Sequence, residues 1–127
     1  MLDDLTTRLV TQARERTAGM RTAPELPQQK KVSLLVTAGP AKGKVFPIEK
    51  ASVLIGRTEG DVVVPDSKMS RSHCVLEVHG LAALLVDLDS ANGTFVNGRK
   101  VACSQIDHMT EFHIGNTTFM FAVTGGR

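Results

Sequence analysis

From Val32 onward, short apolar runs alternate with clusters of turn-forming residues, and this pattern constrains the fold more than any other feature. Residues 38–43 contain glycine and proline, which supply the backbone angles that turns require. Asn97-Gly98 is the residue pair typical of a two-residue β-hairpin. No helical periodicity appears after Val32. The pattern therefore predicts an all-β sandwich of about ten or eleven short, mostly antiparallel strands in two packed layers.

The apolar runs also give approximate bounds for the strands. Val75, Leu84, Val86 and Leu88 are expected in the hydrophobic core. The composition is 42% hydrophobic, with five Phe and no Trp or Tyr, so aliphatic side chains must supply most of this core. The predicted strands cover residues 32–37, 44–48, 51–55, 61–64, 73–79, 81–88, 94–96, 99–101, 110–114 and 117–123, and residues 102–109 are predicted to form a loop.

The N-terminal segment has a different character. Its apolar residues recur every three or four positions, as on one face of a helix, and acidic residues precede basic ones, as a helix dipole favours. We predict a short helix over residues 4–17 and then an exposed, extended linker, so that residues 1–31 form a tail and residues 32–127 the β domain. A helix this short is marginal in water, so its apolar face is expected to pack on the domain, on a partner or on a second copy of the chain. The apolar positions are Leu2, Leu5, Leu9 and Ala13.

Charge and hydropathy exclude several classes of partner. The net charge is +2, and the excess lies in residues 1–31, with six basic and four acidic groups, whereas residues 32–127 carry nine of each. The β domain therefore lacks the basic excess of a nucleic-acid binder, and no nucleic-acid partner is expected. No apolar run approaches the roughly 20 residues of a membrane span, and the N terminus does not have the pattern of a signal peptide. We expect a cytoplasmic protein without a membrane partner.

The cysteines and histidines fit no metal or cofactor pattern. Cys74 lies in an apolar run and is expected to be a buried free thiol, whereas Cys103 lies in the predicted loop, and nothing argues for a disulfide. His79, His108 and His113 match no metal-ligand spacing. The sequence therefore predicts no metal and no cofactor.

Three polar clusters interrupt the apolar runs. Arg57 follows the run 53–55, so a strand end holds a guanidinium at a loop, which suits a phosphate; the ordinary alternative is a surface ion pair. Ser70 can donate a hydrogen bond to a phosphate oxygen. Asn92 carries both a donor and an acceptor, which can bind the main chain of an extended peptide, although Asn before Gly is also common in simple turns.

Ser70 and His73 together also suggest a nucleophile and its base. However, no third group is spaced to orient the histidine, no glycine-rich elbow surrounds the serine, and His73 begins an apolar run. We therefore expect His73 to be a buried residue that ties the loop by hydrogen bonds. No catalytic residue is assigned, and the protein is not expected to be an enzyme.

In this order and spacing, the clusters resemble the forkhead-associated (FHA) domain family. The resemblance covers about residues 32–123 and extends to the closing Ile114-Gly115. It implies an FHA-type β-sandwich of about 11 strands whose loops, at one end, bind phosphothreonine peptides. The segments that carry it are Gly56-Arg57, Ser70-Arg71-x-His73, Asn92-Gly93-Thr94 and Asn97-Gly98.

The resemblance also implies a role for each matching residue. Arg57 and Ser70 would hold the phosphate, Arg71 would contact the phosphate or the peptide, and Asn92 would bind the peptide main chain. Ala91 departs from the family, in which this position is often a hydroxyl residue, so one hydrogen bond to the phosphate is expected to be missing. Supporting roles fall to Gly56, His73, Gly93, Thr94 and Asn97.

The function expected from the resemblance is that of a phosphothreonine-dependent signalling adaptor. Its partner would be a Thr-phosphorylated protein, such as a Ser/Thr kinase or a kinase substrate. The alternative is a structural or assembly module that has the fold but binds without phosphate. Thr6 and Thr7 follow two acidic residues and are candidate phosphorylation sites, although they lie on the predicted helix, which would have to unfold before the loops could bind them.

Overall fold

The computed structural model describes residues 4–16 and 23–125 and shows one helix and eleven strands. The helix confirms the N-terminal prediction; Thr17, the last residue of the predicted helix, lies outside the described residues. The elements are α1 Asp4–Arg16, β1 Lys30–Ala38, β2 Val45–Ile48, β3 Ser52–Gly56, β4 Val62–Val63, β5 Cys74–His79, β6 Ala82–Asp87, β7 Thr94–Val96, β8 Arg99–Val101, β9 Cys103–Asp107, β10 Glu111–Ile114 and β11 Thr117–Gly125.

The strands form two sheets, as the alternating pattern predicts. The six-stranded sheet has the order β2-β1-β11-β10-β7-β8, and the five-stranded sheet has the order β4-β3-β5-β6-β9. All pairs are antiparallel except β3 and β4, which are parallel. The fold is therefore the expected all-β sandwich of 11 strands.

The core between the sheets follows from the two-residue period of the strands. In β1, Val32, Leu34 and Val36 are buried and alternate with half-buried residues. Phe112 in β10 and Phe119 in β11 stack with ring centroids 5.2 Å apart. Aliphatic residues and three buried Phe thus fill a core that has neither Trp nor Tyr.

A second apolar cluster lies on the outer face of the five-stranded sheet. Val10 of α1 is buried there against Val75, Leu84 and Val86. The three strand residues were correctly predicted to be buried, but they lie beneath the helix rather than between the sheets. Leu5 remains half exposed at 51%. The helix therefore packs on its own domain, and self-association through this segment stays a prediction.

The predicted loop over residues 102–109 is wrong, because Cys103–Asp107 forms strand β9 at the edge of the five-stranded sheet. This strand pairs with β6, from Ala82 opposite Asp107 to Val86 opposite Cys103. Ile106 is its only fully buried residue, so the strand lacks an apolar run. Main-chain pairing, which side-chain patterns do not record, forms this strand.

The first strand begins earlier than predicted, at Lys30. Lys30 and Lys31 keep exposed side chains, but their main chains pair with the end of β11. The preceding segment is also held, since Glu25 bridges to β5 and Leu26 packs against the core. The linker is therefore not fully extended into solvent over these residues, whereas the division of the chain at residues 31 and 32 stays a prediction.

Candidate functional site

Loops from both sheets meet at one end of the sandwich. The β3–β4 loop (57–61) contacts the β4–β5 loop (64–73), because the Arg57 N–H donates to the Ser70 carbonyl at 2.9 Å. The β6–β7 loop (88–93) joins them through a hydrogen bond from the Ala91 N–H to Ser70 Oγ at 3.1 Å. The β10–β11 turn joins through a hydrogen bond from the Asn116 N–H to Asp66 Oδ2 at 2.7 Å. The structure thus brings together clusters that are far apart in sequence.

Arg57 is held at the end of β3 with part of its guanidinium free. Its Nε–H donates to the Met69 carbonyl at 3.0 Å, and Met69 is itself buried. Across residues 4–16 and 23–125, Arg57 takes part in no ion pair. The two terminal nitrogens of a fixed, always charged fork can therefore bind an anion at the loop end.

Ser70 is oriented as a hydrogen-bond donor. Its Oγ accepts the hydrogen bond from the Ala91 N–H, and its own N–H donates to His73 Nδ1 at 3.0 Å. The hydroxyl proton remains available to donate to an oxygen atom of a ligand at the loop end. Ala91 thus contributes through its main chain although it has no side-chain hydroxyl.

His73 is buried, as expected, and holds two loops together. Because Nδ1 accepts from the Ser70 N–H, the ring proton lies on Nε2, which donates to the Gly93 carbonyl at 2.9 Å. Burial lowers the pKa of His73 below its ordinary value of 6.5, and the hydrogen bond to Gly93 and the charge of Asp87 offset this only in part. The imidazole faces the Ser70 amide and not its hydroxyl, so the two residues do not form a nucleophile and base pair.

Gly56 is required by the close approach of two loops. A Cβ atom at this position would lie 1.8 Å from the Arg71 carbonyl oxygen and 2.7 Å from that of Glu59. Gly93 is required for its backbone, because its φ of +91° lies in the region that favours glycine. These two glycines therefore set the paths of the loops that carry Arg71 and Asn92.

The remaining residues predicted to bind the peptide or to support the site differ in their burial. Asn92 is exposed and donates from Nδ2 to the Lys68 carbonyl at 2.8 Å, which leaves its Oδ1 and a second N–H for a ligand. Arg71 is exposed next to Ser70. Thr94 is buried and donates to Asp87. Asn97 lies in the β7–β8 turn with a φ of +52°, and no hydrogen bond in the described residues joins it to the Arg57 or Ser70 loops.

The sequence alone assigned no role to the two acidic residues that hold these loops, although the segments that contain them also resemble the family. Asp87 accepts hydrogen bonds from the Ser90 N–H, the Ser90 hydroxyl and the Thr94 hydroxyl, while Ser90 Oγ accepts from the Gly93 N–H. Asp87 thereby shapes the β6–β7 loop that carries Asn92. The sequence does contain a signal for this role, because Asp87 ends an apolar run and a Ser-Ala-Asn-Gly turn begins three residues later.

Asp66 performs the same task for the β4–β5 loop. It is only 1% exposed and accepts hydrogen bonds from the Lys68 N–H, the Asn116 main chain and side chain, and the Thr117 hydroxyl. Burial acts to raise the pKa of Asp66, but the hydrogen bonds, led by that from Thr117, outweigh it and lower the pKa below its ordinary value of 3.8. The carboxylate is therefore ionised and ties this loop to the β10–β11 turn.

The described residues contain no group of three or more His, Cys, Asp or Glu side chains that could hold a metal ion. Cys74 is buried and Cys103 is half buried in β9, and both are free thiols. Burial raises the pKa of the Cys74 thiol far above its ordinary value. In the same part of the chain, no helix is long and apolar enough to cross a membrane.

Comparison with known proteins places this arrangement in a family. Residues 35–125 match the family model described as the cytoplasmic domain of an inner membrane component of the T3SS. The glycogen accumulation regulator GarA of Mycolicibacterium smegmatis is 30% identical over 89 residues, which are 69% of this chain and 56% of that protein. The chain therefore spans less than two thirds of the length of this relative.

Two solved structures agree in fold. The FhaA FHA domain, complexed with the intracellular domain of Rv3910, is 30% identical with a TM-score of 0.64, over 71% of this chain and 98% of that one. A domain studied for phosphothreonine-dependent FHA domain interactions is 29% identical with a TM-score of 0.65, over 72% of this chain and 95% of that one. The chain belongs to the forkhead-associated (FHA) domain family.

Proposed function

We propose that this chain is a phosphothreonine-binding FHA module that captures Thr-phosphorylated proteins through the loops at one end of its sandwich. The observation that carries the proposal is that Arg57, Ser70 and Asn92 lie on loops joined by hydrogen bonds at one end of the sandwich, and that each keeps unused hydrogen-bonding capacity. A phosphate offers several acceptor oxygens and nearly two negative charges at neutral pH. The free guanidinium nitrogens and the Ser70 hydroxyl match these acceptors, while Asn92 can bind the main chain of the peptide.

The comparisons support the same activity. One similar domain was studied for phosphothreonine-dependent interactions, and another was solved with an intracellular protein domain. In the whole protein, we infer the role of a cytoplasmic signalling adaptor whose partner is a Ser/Thr kinase or a kinase substrate. We also infer a binding module and not an enzyme, because His73 directs its acceptor nitrogen to a main-chain amide.

The test compares three forms of one peptide by isothermal titration calorimetry: phosphothreonine, phosphoserine and unmodified threonine. Only the phosphothreonine form is expected to bind strongly. Arg57→Ala is expected to weaken its binding at least about tenfold, since one hydrogen bond between charged groups contributes about 1.5–3 kcal/mol. Arg99→Ala removes the same charge from an exposed residue of β8 and should leave the affinity unchanged.

Two results would contradict the proposal. Equal binding of the phosphorylated and unmodified peptides would favour the phosphate-independent assembly module. Full affinity of the Arg57→Ala variant would show that Arg57 does not bind the phosphate. Raising the salt concentration provides a further check, because binding through exposed charges must weaken as the ions are screened.

A further inference from the structure

The outer faces of the two sheets are not alike. Helix α1 covers the five-stranded sheet through Val10. The six-stranded sheet instead carries an open groove of about 650 Å³ between β7, β10 and β11. Its lining includes Lys68, Asn92, Phe95, Asn97, Glu111 and His113.

The groove begins at the loops of the candidate site. Lys68 and Asn92 belong to those loops and are joined by the hydrogen bond from Asn92 Nδ2 to the Lys68 carbonyl. From Asn92 the chain enters β7, where Phe95 lies opposite His113 of β10. Their rings meet edge to face, with centroids 6.4 Å apart, and His113 Nδ1 is hydrogen-bonded to the Thr118 hydroxyl at 2.9 Å. The floor of the groove is therefore an ordered, partly aromatic surface.

The two ends of the groove carry opposite charges. Lys68 lies at the end near the loops, and Glu111 lies farther along β10. Because Phe112 pairs with Val96, Glu111 comes next to Asn97, about five residues or roughly 16 Å along the strand direction from Asn92. Glu111 is exposed and has no ion-pair partner in the part of the chain that the structure describes.

We propose, on the basis of the phosphothreonine-binding function above, that the polypeptide of the phosphorylated partner continues from the loops along this groove to Glu111. The occupant is the partner's own segment, because the groove is continuous with the loops that bind its phosphothreonine. An extended peptide advances as far per residue as a strand, so a residue about five positions from the phosphothreonine reaches Glu111. The groove therefore favours a partner segment that packs an apolar side chain on Phe95 and places a Lys or Arg beside Glu111.

The test uses a short phosphothreonine peptide and longer ones that carry Lys or Glu five positions before or after the phosphothreonine. For one of the two placements, the Lys peptide is expected to bind about two- to five-fold more tightly than its Glu counterpart, the range of an exposed ion pair. Glu111→Lys should reverse this preference and leave the short peptide unaffected. Glu49→Lys makes the same charge change at an exposed residue between β2 and β3, and this variant should still prefer the Lys peptide.

Each other outcome has a definite meaning. If the short peptide binds but neither placement matters, or if the preference persists in Glu111→Lys, the groove does not bind the partner in this way and the phosphothreonine function stands. If no phosphothreonine peptide binds, short or long, the proposed function fails and the groove inference fails with it.

Discussion

Replacing Asp66 by Asn tests how the loop end of the domain is held. The carboxylate accepts four hydrogen bonds, two at each oxygen, from Lys68, Asn116 and Thr117. An amide has only one acceptor oxygen, so in either orientation its NH2 group faces a main-chain N–H, of Lys68 or of Asn116, and that bond is lost. The remaining three are no longer bonds to a charged group. The lost bond contributes about 1.5 kcal/mol, the low end of the range because Lys68 and Asn116 are exposed, and each of the other three weakens by about 0.5 kcal/mol when the charge is removed, so the loss is about 3 kcal/mol.

This loss can be measured by equilibrium unfolding in urea at neutral pH. A change of about 3 kcal/mol corresponds to a fall of roughly 10 °C in the thermal midpoint of a domain of this size. Asp89→Asn provides the matched control, because Asp89 is exposed and surface substitutions usually change stability by less than about 0.5 kcal/mol. A loss below about 1 kcal/mol, or equal losses in both variants, would refute the reasoning.

The same variant makes a prediction about acid. The pKa of Asp66 in the folded protein lies below the ordinary value of 3.8, so the unfolded chain binds more protons in the window between these values. The stability that Asp66 contributes is therefore complete above pH 3.8 and is lost as the pH falls through the folded pKa. The difference in unfolding free energy between the native protein and Asp66→Asn should shrink below pH 3.8, and a constant difference would contradict the assignment.

Two further predictions concern His73 and helix α1. The pKa of His73 is below 6.5 in the folded protein, so the unfolded chain binds the proton first and stability should fall as the pH drops below about 6.5. His73→Gln can keep both hydrogen bonds but does not titrate, so its stability should fall less over this range; equal pH dependence of the two proteins in urea unfolding would contradict this. Val10→Asp should release α1, since a buried charge is unfavourable and an isolated helix this short is marginal, whereas Leu5→Asp, at a half-exposed position, should not. Hydrogen exchange of residues 4–16 measures this, and continued protection in Val10→Asp would show that another contact holds the helix.

The fold class could be predicted from the sequence because it depends on local patterns, whereas the roles of the site residues come from the family resemblance and stay predictions. Short apolar runs bounded by turns require strands that bury one face, which led to two layers and about 11 strands. The incorrect prediction of a loop at residues 102–109 shows where side-chain patterns fail to indicate a strand. Strand β9 exists because its main chain pairs with β6, and an edge strand with one fully buried residue leaves almost no side-chain pattern.

The sequence by itself thus determined the class of fold and the short helix, and it contains the polar groups that we propose bind phosphate. Only the tertiary structure decided how those groups are used, because hydrogen bonds between residues distant in sequence orient them. The sequence predicted a donor at Ser70 and a structural role for His73, but only the structure shows their partners: Ser70 accepts from the Ala91 N–H, and the His73 ring joins Ser70 to Gly93. Asp66, some fifty residues from Thr117, has a function that no local pattern could indicate.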